Sequence, residues 1–289
     1  MATRTDTRFG TLTDDPLAAL KAAIKYGFGV VVSAWMLFPV FWMATTGLKE
    51  NESIMNLPPE WLFFDVTFRH FTELFTETGF HQYLFNSFVV AAVSVGVSVV
   101  VGVPAAYALS RMDVPAADDI GFYILSTRMV PPLAILVPLY IFYQAAGMTD
   151  SLAGLTITHL LITLPMVIWI VKGFIDELPP SLEESALVDG CNRIQTFREI
   201  VVPLVKPGIA AAAFIGFIFS WNNFMLALVL TSGADKTAPL VIQSSMGYLS
   251  INWGMLGAAG TLTILPPVVL SLLIRDYLVE GMTMGAVKE

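Results

Sequence analysis

The chain is predicted to be an all-α, polytopic membrane protein with six transmembrane helices, and three observations carry that prediction. The first is composition. Its 289 residues are 56% hydrophobic and only 13% charged, with a mean hydropathy of +0.72, whereas a soluble domain carries about 25% charged residues. The second is segment length, since a span needs roughly 20 mostly apolar residues to cross about 30 Å of hydrocarbon. Six stretches meet that test, at 26–46, 84–110, 120–144, 152–171, 208–230 and 254–274, and none contains Asp or Glu. The third is the placement of basic residues. Arg4, Arg8, Lys21, Lys25, Arg111, Lys172, Arg193, Arg198, Lys206, Arg275 and Lys288 fall on one set of flanks, and Lys49, Arg69 and Lys236 on the other. The positive-inside rule then expects both termini and the 172–207 segment in the cytoplasm. The chain divides into a cytoplasmic segment 1–25, a spanning domain 26–276 and a cytoplasmic tail 277–289.

Asp15 followed by Pro16 is a helix start, so the first span should extend back toward the N-terminus. It starts too late and runs too long for a cleaved signal peptide. The outward segment 47–83 places Phe68, Phe71 and Phe75 on one helical face, as an aromatic belt at the bilayer surface or as a surface for a partner. In the second span Ser94, Ser98 and Gly102 recur every four residues; in the fifth, Gly208, Ala212, Gly216 and Ser220 do the same. Lipid offers no hydrophobic drive for helices to associate, so such small-residue faces mark close packing.

Proline interrupts most spans, at Pro39, Pro104, Pro131, Pro132, Pro138, Pro165, Pro266 and Pro267. Each removes a backbone hydrogen bond, which membrane helices tolerate only where something else meets the freed carbonyl. The third span, STRMVPPLAILVPLY, is the most broken, and it is the candidate for a wall that moves or lines a cavity. It also holds Arg128, about 12 Å from the cytoplasmic side at 1.5 Å per residue. An intramembrane charge is a functional hypothesis by default; the alternative is that it snorkels or ties carbonyls freed by Pro131 and Pro132. Thr156, His159 and Thr163 fall near one face of the fourth span, and Trp221, Asn222 and Asn223 follow Ser220 in the fifth. Polar groups at that depth face the bundle interior, as a hydrated pathway or as interhelical hydrogen bonds. Arg128, His159, Ser220, Trp221, Asn222 and Asn223 are therefore the candidates to line a substrate path.

Several functions are disfavoured. No Gly-rich phosphate loop ending in Gly-Lys-Ser/Thr is present, so the chain is not expected to hydrolyse nucleotide itself. Cys191 is the single cysteine, and the three histidines lack metal-ligand spacing. No catalytic residue and no metal site is assigned, because Arg128 and His159 alone are too few for an enzyme. A secondary transporter is the alternative reading, but it calls for intramembrane acids or inverted repeats, which the sequence does not offer.

Between the fourth and fifth spans lies EESALVDGCNRIQTFREIVVPLVKPG, residues 183–208. Ser181 as N-cap and Glu184 three residues on form an expected capping box. Gly190 is suited to a left-handed helix end. A second amphipathic stretch follows, with Ile194, Phe197 and Val201 on one side, until Pro203 and Pro207 stop it. A mere connection could be far shorter. A rigid projection with an apolar knob and flanking charges is what docking to a soluble partner requires.

Here the sequence resembles the permease subunits of ATP-binding-cassette importers, through their EAA signature. Glu184-Ser185-Ala186, three residues, Gly190, nine residues and Ile200-Val201-Val202-Pro203 match Glu-Ala-Ala, three residues, Gly, nine residues, Ile, any residue, Leu-Pro, with Ser185 and Val202 as mild departures. Arg128-Met129-Val130-Pro131-Pro132, Pro138-Leu139-Tyr140, Phe219-Ser220-Trp221-Asn222 and the tail 281–288 extend the likeness to the second permease of maltose-type sugar transporters. Where many relatives have an acidic residue after Trp-Asn, this chain has Asn223.

The resemblance implies a type I importer permease, multi-pass in the prokaryotic plasma membrane, taking up a sugar or sugar derivative. A non-carbohydrate solute is the alternative within the same class. It implies a coupling helix formed by Glu183, Glu184, Ser185, Ala186, Asp189, Gly190, Ile194, Phe197, Ile200 and Pro203, seated in a groove of an ATPase subunit. Gly281, Thr283, Gly285, Ala286, Val287 and Lys288 would reach the interface of the nucleotide-binding dimer. The outward loop 231–253 would meet an extracellular solute-binding protein. The implied partners are that protein, a second permease, two ATPase subunits and lipid, with no nucleic acid. No cofactor is implied in this chain; ATP and Mg belong to the ATPase subunits.

Overall fold

The computed structural model describes residues 16–244 and 251–284. Its first element, α1 (Pro16–Gly47), begins at the proline that the sequence marks as a helix start. Two short helices follow on the loop 48–79, α2 (Asn51–Ile54) and α3 (Arg69–Thr76), before α4 (Phe80–Arg111). Next come α5 (Ala117–Ser126), a 3-10 turn (Thr127–Met129) and α6 (Pro132–Ala146). α7 (Leu152–Asp176) leads into a hairpin of α8 (Ser181–Val188), α9 (Arg193–Thr196), a π-turn (Phe197–Val201) and α10 (Val202–Leu204). α11 (Lys206–Trp221), α12 (Met225–Leu230), α13 (Ala238–Ser244) and α14 (Trp253–Met284) complete the described chain.

Four of these helices are long and apolar enough to cross a membrane, and six crossings result if each of two bent pairs counts as one span. The bent pairs are the two breaks that polar and proline residues impose. At the third span the chain turns by 94° between Ala117–Met129 and Leu133–Ala146. Pro131 and Pro132 cannot donate to the ladder, and Val130 turns extended ahead of them. The second pair, Arg193–Leu204 and Lys206–Trp221, bends by 71° at Val205 before Pro207.

One expected boundary shifts. The fifth span does not run unbroken over 208–230, because α11 stops at Trp221 and α12 starts at Met225. The asparagines cause the break: Asn223 Oδ1 accepts from the Leu226 amide at 3.0 Å, and Asn222 Nδ2 donates to the Ile218 carbonyl at 3.0 Å. Asparagine offers the backbone these local alternatives to helix continuation.

α11 is the hub, packed against α4, α7 and α14, while α4 and α7 form the most extensive helix pair. α4 and α7 run parallel, since Ser98 meets Thr163 near their middles and Arg111 meets the carbonyls of Ile175 and Leu178 at their ends. The expected small-residue seams lie at these contacts. Ser94, Ser98 and Gly102 are all buried, as are Gly208, Ala212, Gly216 and Ser220. A methyl group at Gly102 would sit 3.1 Å from Val167 Cγ1, so this glycine sets the spacing of α4 and α7.

At the end opposite the hairpin, α1 meets α14 where Gly47 and Gly257 touch backbone to backbone; a Cβ at Gly257 would lie 2.7 Å from the Gly47 nitrogen. Much of the remainder of α1 is exposed and apolar. His70 of α3 is fully buried against Gly254, which has no side chain to obstruct the ring, and its Nε2 bonds the Lys49 carbonyl at 3.0 Å. The face of α3 turned to the bundle is thus His70 and Leu74, leaving Phe68 and Phe75 exposed. Asn86 and Ser87 of α4 pin the segment between α12 and α13, through the Ala234 and Lys236 carbonyls and the Ala238 amide.

Candidate functional site

The hairpin between α7 and α11 is built as a rigid projection. Its first helix starts one residue earlier than expected, at Ser181 with Pro180 as N-cap, so Ser181 lies inside the helix and makes no capping box with Glu184. Pro180 is already in helical conformation, and its carbonyl accepts from the amides of Glu183 (3.0 Å) and Glu184 (3.1 Å). The capping box forms instead at α9, where Asn192 and Gln195 satisfy each other's backbone amides. Gly190 has φ +94°, and the bonds Cys191 N–H to Ala186 O (3.0 Å) and Gly190 N–H to Leu187 O (3.2 Å) complete a Schellman ending. The underside, Val201 and Val205, joins the cluster formed by Val103, Tyr107, Val171 and Ile175 of α4 and α7.

The ten hairpin residues expected to couple do not all face the same way. Glu184, Ser185, Asp189, Gly190, Ile194 and Pro203 are exposed, Phe197 and Ile200 are half-buried, and Ala186 is buried. Val188 (87% exposed) and Ile194 (76%) are apolar side chains exposed on the same hairpin as Glu184, Asp189 and Arg193. Glu183 turns inward. Its Oε1 accepts from Arg111 Nε at 2.7 Å and its Oε2 from the Tyr107 hydroxyl at 2.8 Å. Arg111 Nη2 also donates to the carbonyls of Ile175 (2.7 Å) and Leu178 (2.6 Å) at the end of α7.

The six path candidates separate into two groups. His159 and Ser220 meet in the bundle interior, His159 Nδ1 lying 2.6 Å from Ser220 Oγ, with Ser220 3.4 Å from Ser94. Ser98 and Thr163 pair at 2.6 Å one turn further along. His159 Nε2 has no hydrogen-bond partner among the described residues. An unmet buried polar atom of this kind costs about 1–3 kcal/mol unless water or solute reaches it. Trp221 also points inward, donating to the Thr263 carbonyl at 3.2 Å and stacking on Phe217 at 5.6 Å.

The second group is open. Arg128, in the 3-10 turn at the break, is half-buried; its Nη1 donates to the Ile162 carbonyl of α7 at 3.2 Å, and its guanidinium lies 5.4 Å from the centre of the Phe219 ring. Asn222 is exposed and Asn223 half-buried. Arg128 and Phe219 therefore offer a cation and an aromatic ring side by side, and Asn222 an exposed amide one turn on from Phe219. Phe219 entered the sequence reading only within a motif, because a ring's neighbour from another span leaves no local signal. Tail residues Gly281 and Thr283 fall in the last turns of α14, while Gly285, Ala286, Val287 and Lys288 lie outside the described residues.

Comparison with known proteins decides the family. The model of the binding-protein-dependent transport system inner membrane components matches residues 98–284, which takes in the hairpin, the polar core and both breaks. The chain belongs to this family. The permease is 36% identical over 261 residues to the probable ABC transporter permease protein y4oR of Sinorhizobium fredii, covering 90% of this chain and 94% of that one. It is 34% identical to the diacetylchitobiose uptake system permease protein DasC of Streptomyces coelicolor, again over 90% and 94% of the two chains. Its fold is similar to a chain of a bacterial ABC transporter involved in the import of the acidic polysaccharide alginate, with a TM-score of 0.74, 20% identity, and coverage of 93% of this chain and all of that one. The permease is thus an inner membrane transport component whose helices form an ABC importer permease fold.

Proposed function

We propose that the permease is one of two membrane-spanning subunits of an ATP-driven, binding-protein-dependent importer of a sugar or sugar derivative. In this reading the hairpin faces the cytoplasm, the side that the distribution of Lys and Arg favours. The observation that carries the reading is the hairpin: a capped, prolonged projection that exposes Glu184 beside the apolar Val188 and Ile194. Such a surface suits a groove with a basic group in its wall. The diacetylchitobiose relative supports a carbohydrate cargo.

In this reading two ATPase subunits bind ATP and Mg and supply the energy, and the permease itself forms no covalent bond with its cargo. Closure of the ATPase dimer moves the hairpin, the spans tilt, and the path opens toward the binding protein. Arg128, Phe219 and Asn222 line that path, where a sugar ring packs on the aromatic face and its hydroxyls meet the polar groups. The test is to express the chain with its neighbouring transport genes, purify through a tag on this subunit, and assay liposomes for ATP-dependent uptake of diacetylchitobiose, maltose, trehalose and alginate oligosaccharide. Co-purification of ATPase subunits with uptake of at least one of these is the expected result. Uptake by the isolated chain without ATP would overturn it.

A further inference from the structure

Two neighbouring carboxylates on α8 have opposite fates. Glu184 is exposed, whereas Glu183 is buried and bonded to two residues of α4, seventy-two and seventy-six positions earlier in the chain. We infer that Arg111, Tyr107 and Glu183 form a strut that carries movement of the hairpin into α4 and α7, with Arg111 and Tyr107 as positioning residues for energy coupling. The inference rests on the importer reading above and adds the route by which force leaves the docking surface.

The covalent route from α8 toward α11 is poorly suited to that task. Between α9 and α11 the chain passes through a π-turn, Val205 and a 71° bend. A π-turn is a local departure from the α-helical ladder, and such departures mark sites of functional adjustment. A push on α8 delivered along this path would be taken up in the bend.

The strut bypasses it. One planar guanidinium joins three elements: it leaves the last turn of α4, holds the carbonyls of Ile175 and Leu178 at the end of α7, and pairs with Glu183 on α8. A fork of fixed geometry with charge-assisted bonds constrains direction as well as distance. The Tyr107 hydroxyl holds the other carboxylate oxygen, and its ring lies 4.9 Å from that of Phe197 in the π-turn, so the hairpin is gripped at both limbs. Further along the same two helices, Ser98 and Thr163 lock α4 to α7, and His159 connects onward to Ser220 of α11. Movement received at Arg111 therefore reaches the polar core through directional bonds.

The experiment uses the assembled complex in lipid nanodiscs and measures ATP turnover alone and with the system's binding protein. Glu183→Ala removes the carboxylate but leaves Arg111 its two carbonyl partners. Glu183→Gln keeps both hydrogen-bonding positions, and Tyr107→Phe removes one bond. For an assembled Glu183→Ala complex, the ratio of binding-protein-stimulated to basal turnover should fall about ten-fold. Glu183→Gln should keep more than half of the stimulation, and Tyr107→Phe should lose about two- to three-fold. Normal stimulation in an assembled Glu183→Ala complex would overturn the strut. So would loss of the ATPase subunits from both Glu183 variants, which would make Glu183 part of the docking surface. If Glu183→Ala fails to assemble, unchanged stimulation in Tyr107→Phe overturns the strut instead. Absence of ATPase subunits from the unmodified complex would sink the importer reading itself, and is seen before any variant is made.

Discussion

Glu183 and Glu184 show how much one position along a helix decides. Successive residues on α8 point about 100° apart, so one carboxylate meets Arg111 and the next meets solvent. Glu184→Lys is expected to leave membrane insertion intact and to abolish ATP-coupled uptake by about ten-fold or more, because a like charge then faces the basic wall of the groove; immunoblotting of membranes and liposome uptake read the two effects separately. Arg128 is the other residue with a testable charge. The ion pairs among the described residues leave it out, and a guanidinium with donors to spare can bond a carboxylate bidentately. Arg128→Gln should lower uptake of an acidic oligosaccharide about ten-fold while changing that of a neutral one less than about two-fold. Equal effects on both would place Arg128 in the structure of the break rather than in the path. Arg111 was legible only as one of the basic residues setting orientation, since a pairing across 72 positions has no footprint in local pattern.

At the scale of elements, the sequence placed the helices well and their ends less well. The left-handed turn at Gly190, the small-residue seams and the rupture at Pro131 and Pro132 follow from backbone chemistry that a single residue type dictates. The capping box was assigned to Ser181 and Glu184 but forms at Asn192 and Gln195, because Pro180 adopts helical dihedrals and starts α8 early. The Asn222–Asn223 break was missed because an apolar run continues on both sides of it, and side-chain bonds to the backbone outweigh that continuity. Gly190→Val tests the turn. Forcing a β-branched residue to φ +94° costs about 1–2 kcal/mol or more, so the purified complex should melt at a lower temperature and retain less ATPase subunit on washing.

For the whole molecule, the bundle is organised around α11, with α4 and α7 on one side and α14 on the other. α1 is held to α14 by a close approach at Gly47 and Gly257. Gly257→Leu would put a side chain where the α1 backbone now lies, and overpacking of this kind costs about 1–3 kcal/mol. A depressed melting temperature of the complex, with its other subunits still co-purifying, is the expected outcome; an unchanged melting temperature would mean that α1 can shift without loss.

The sequence alone determined that the chain is a helical membrane protein, which stretches are apolar enough to span, and that a polar, turn-containing segment separates the fourth from the fifth. These are properties of composition, length and neighbouring residues. Only the tertiary structure decided that Glu183 turns inward to α4, that His159 and Trp221 belong to the packed interior, and that Arg128 lies against Phe219 beside Ile162. Each of those outcomes depends on which helices lie side by side. In lipid, where burying apolar surface does not favour one pairing over another, helix arrangement is set by close contacts and hydrogen bonds between residues far apart in the chain.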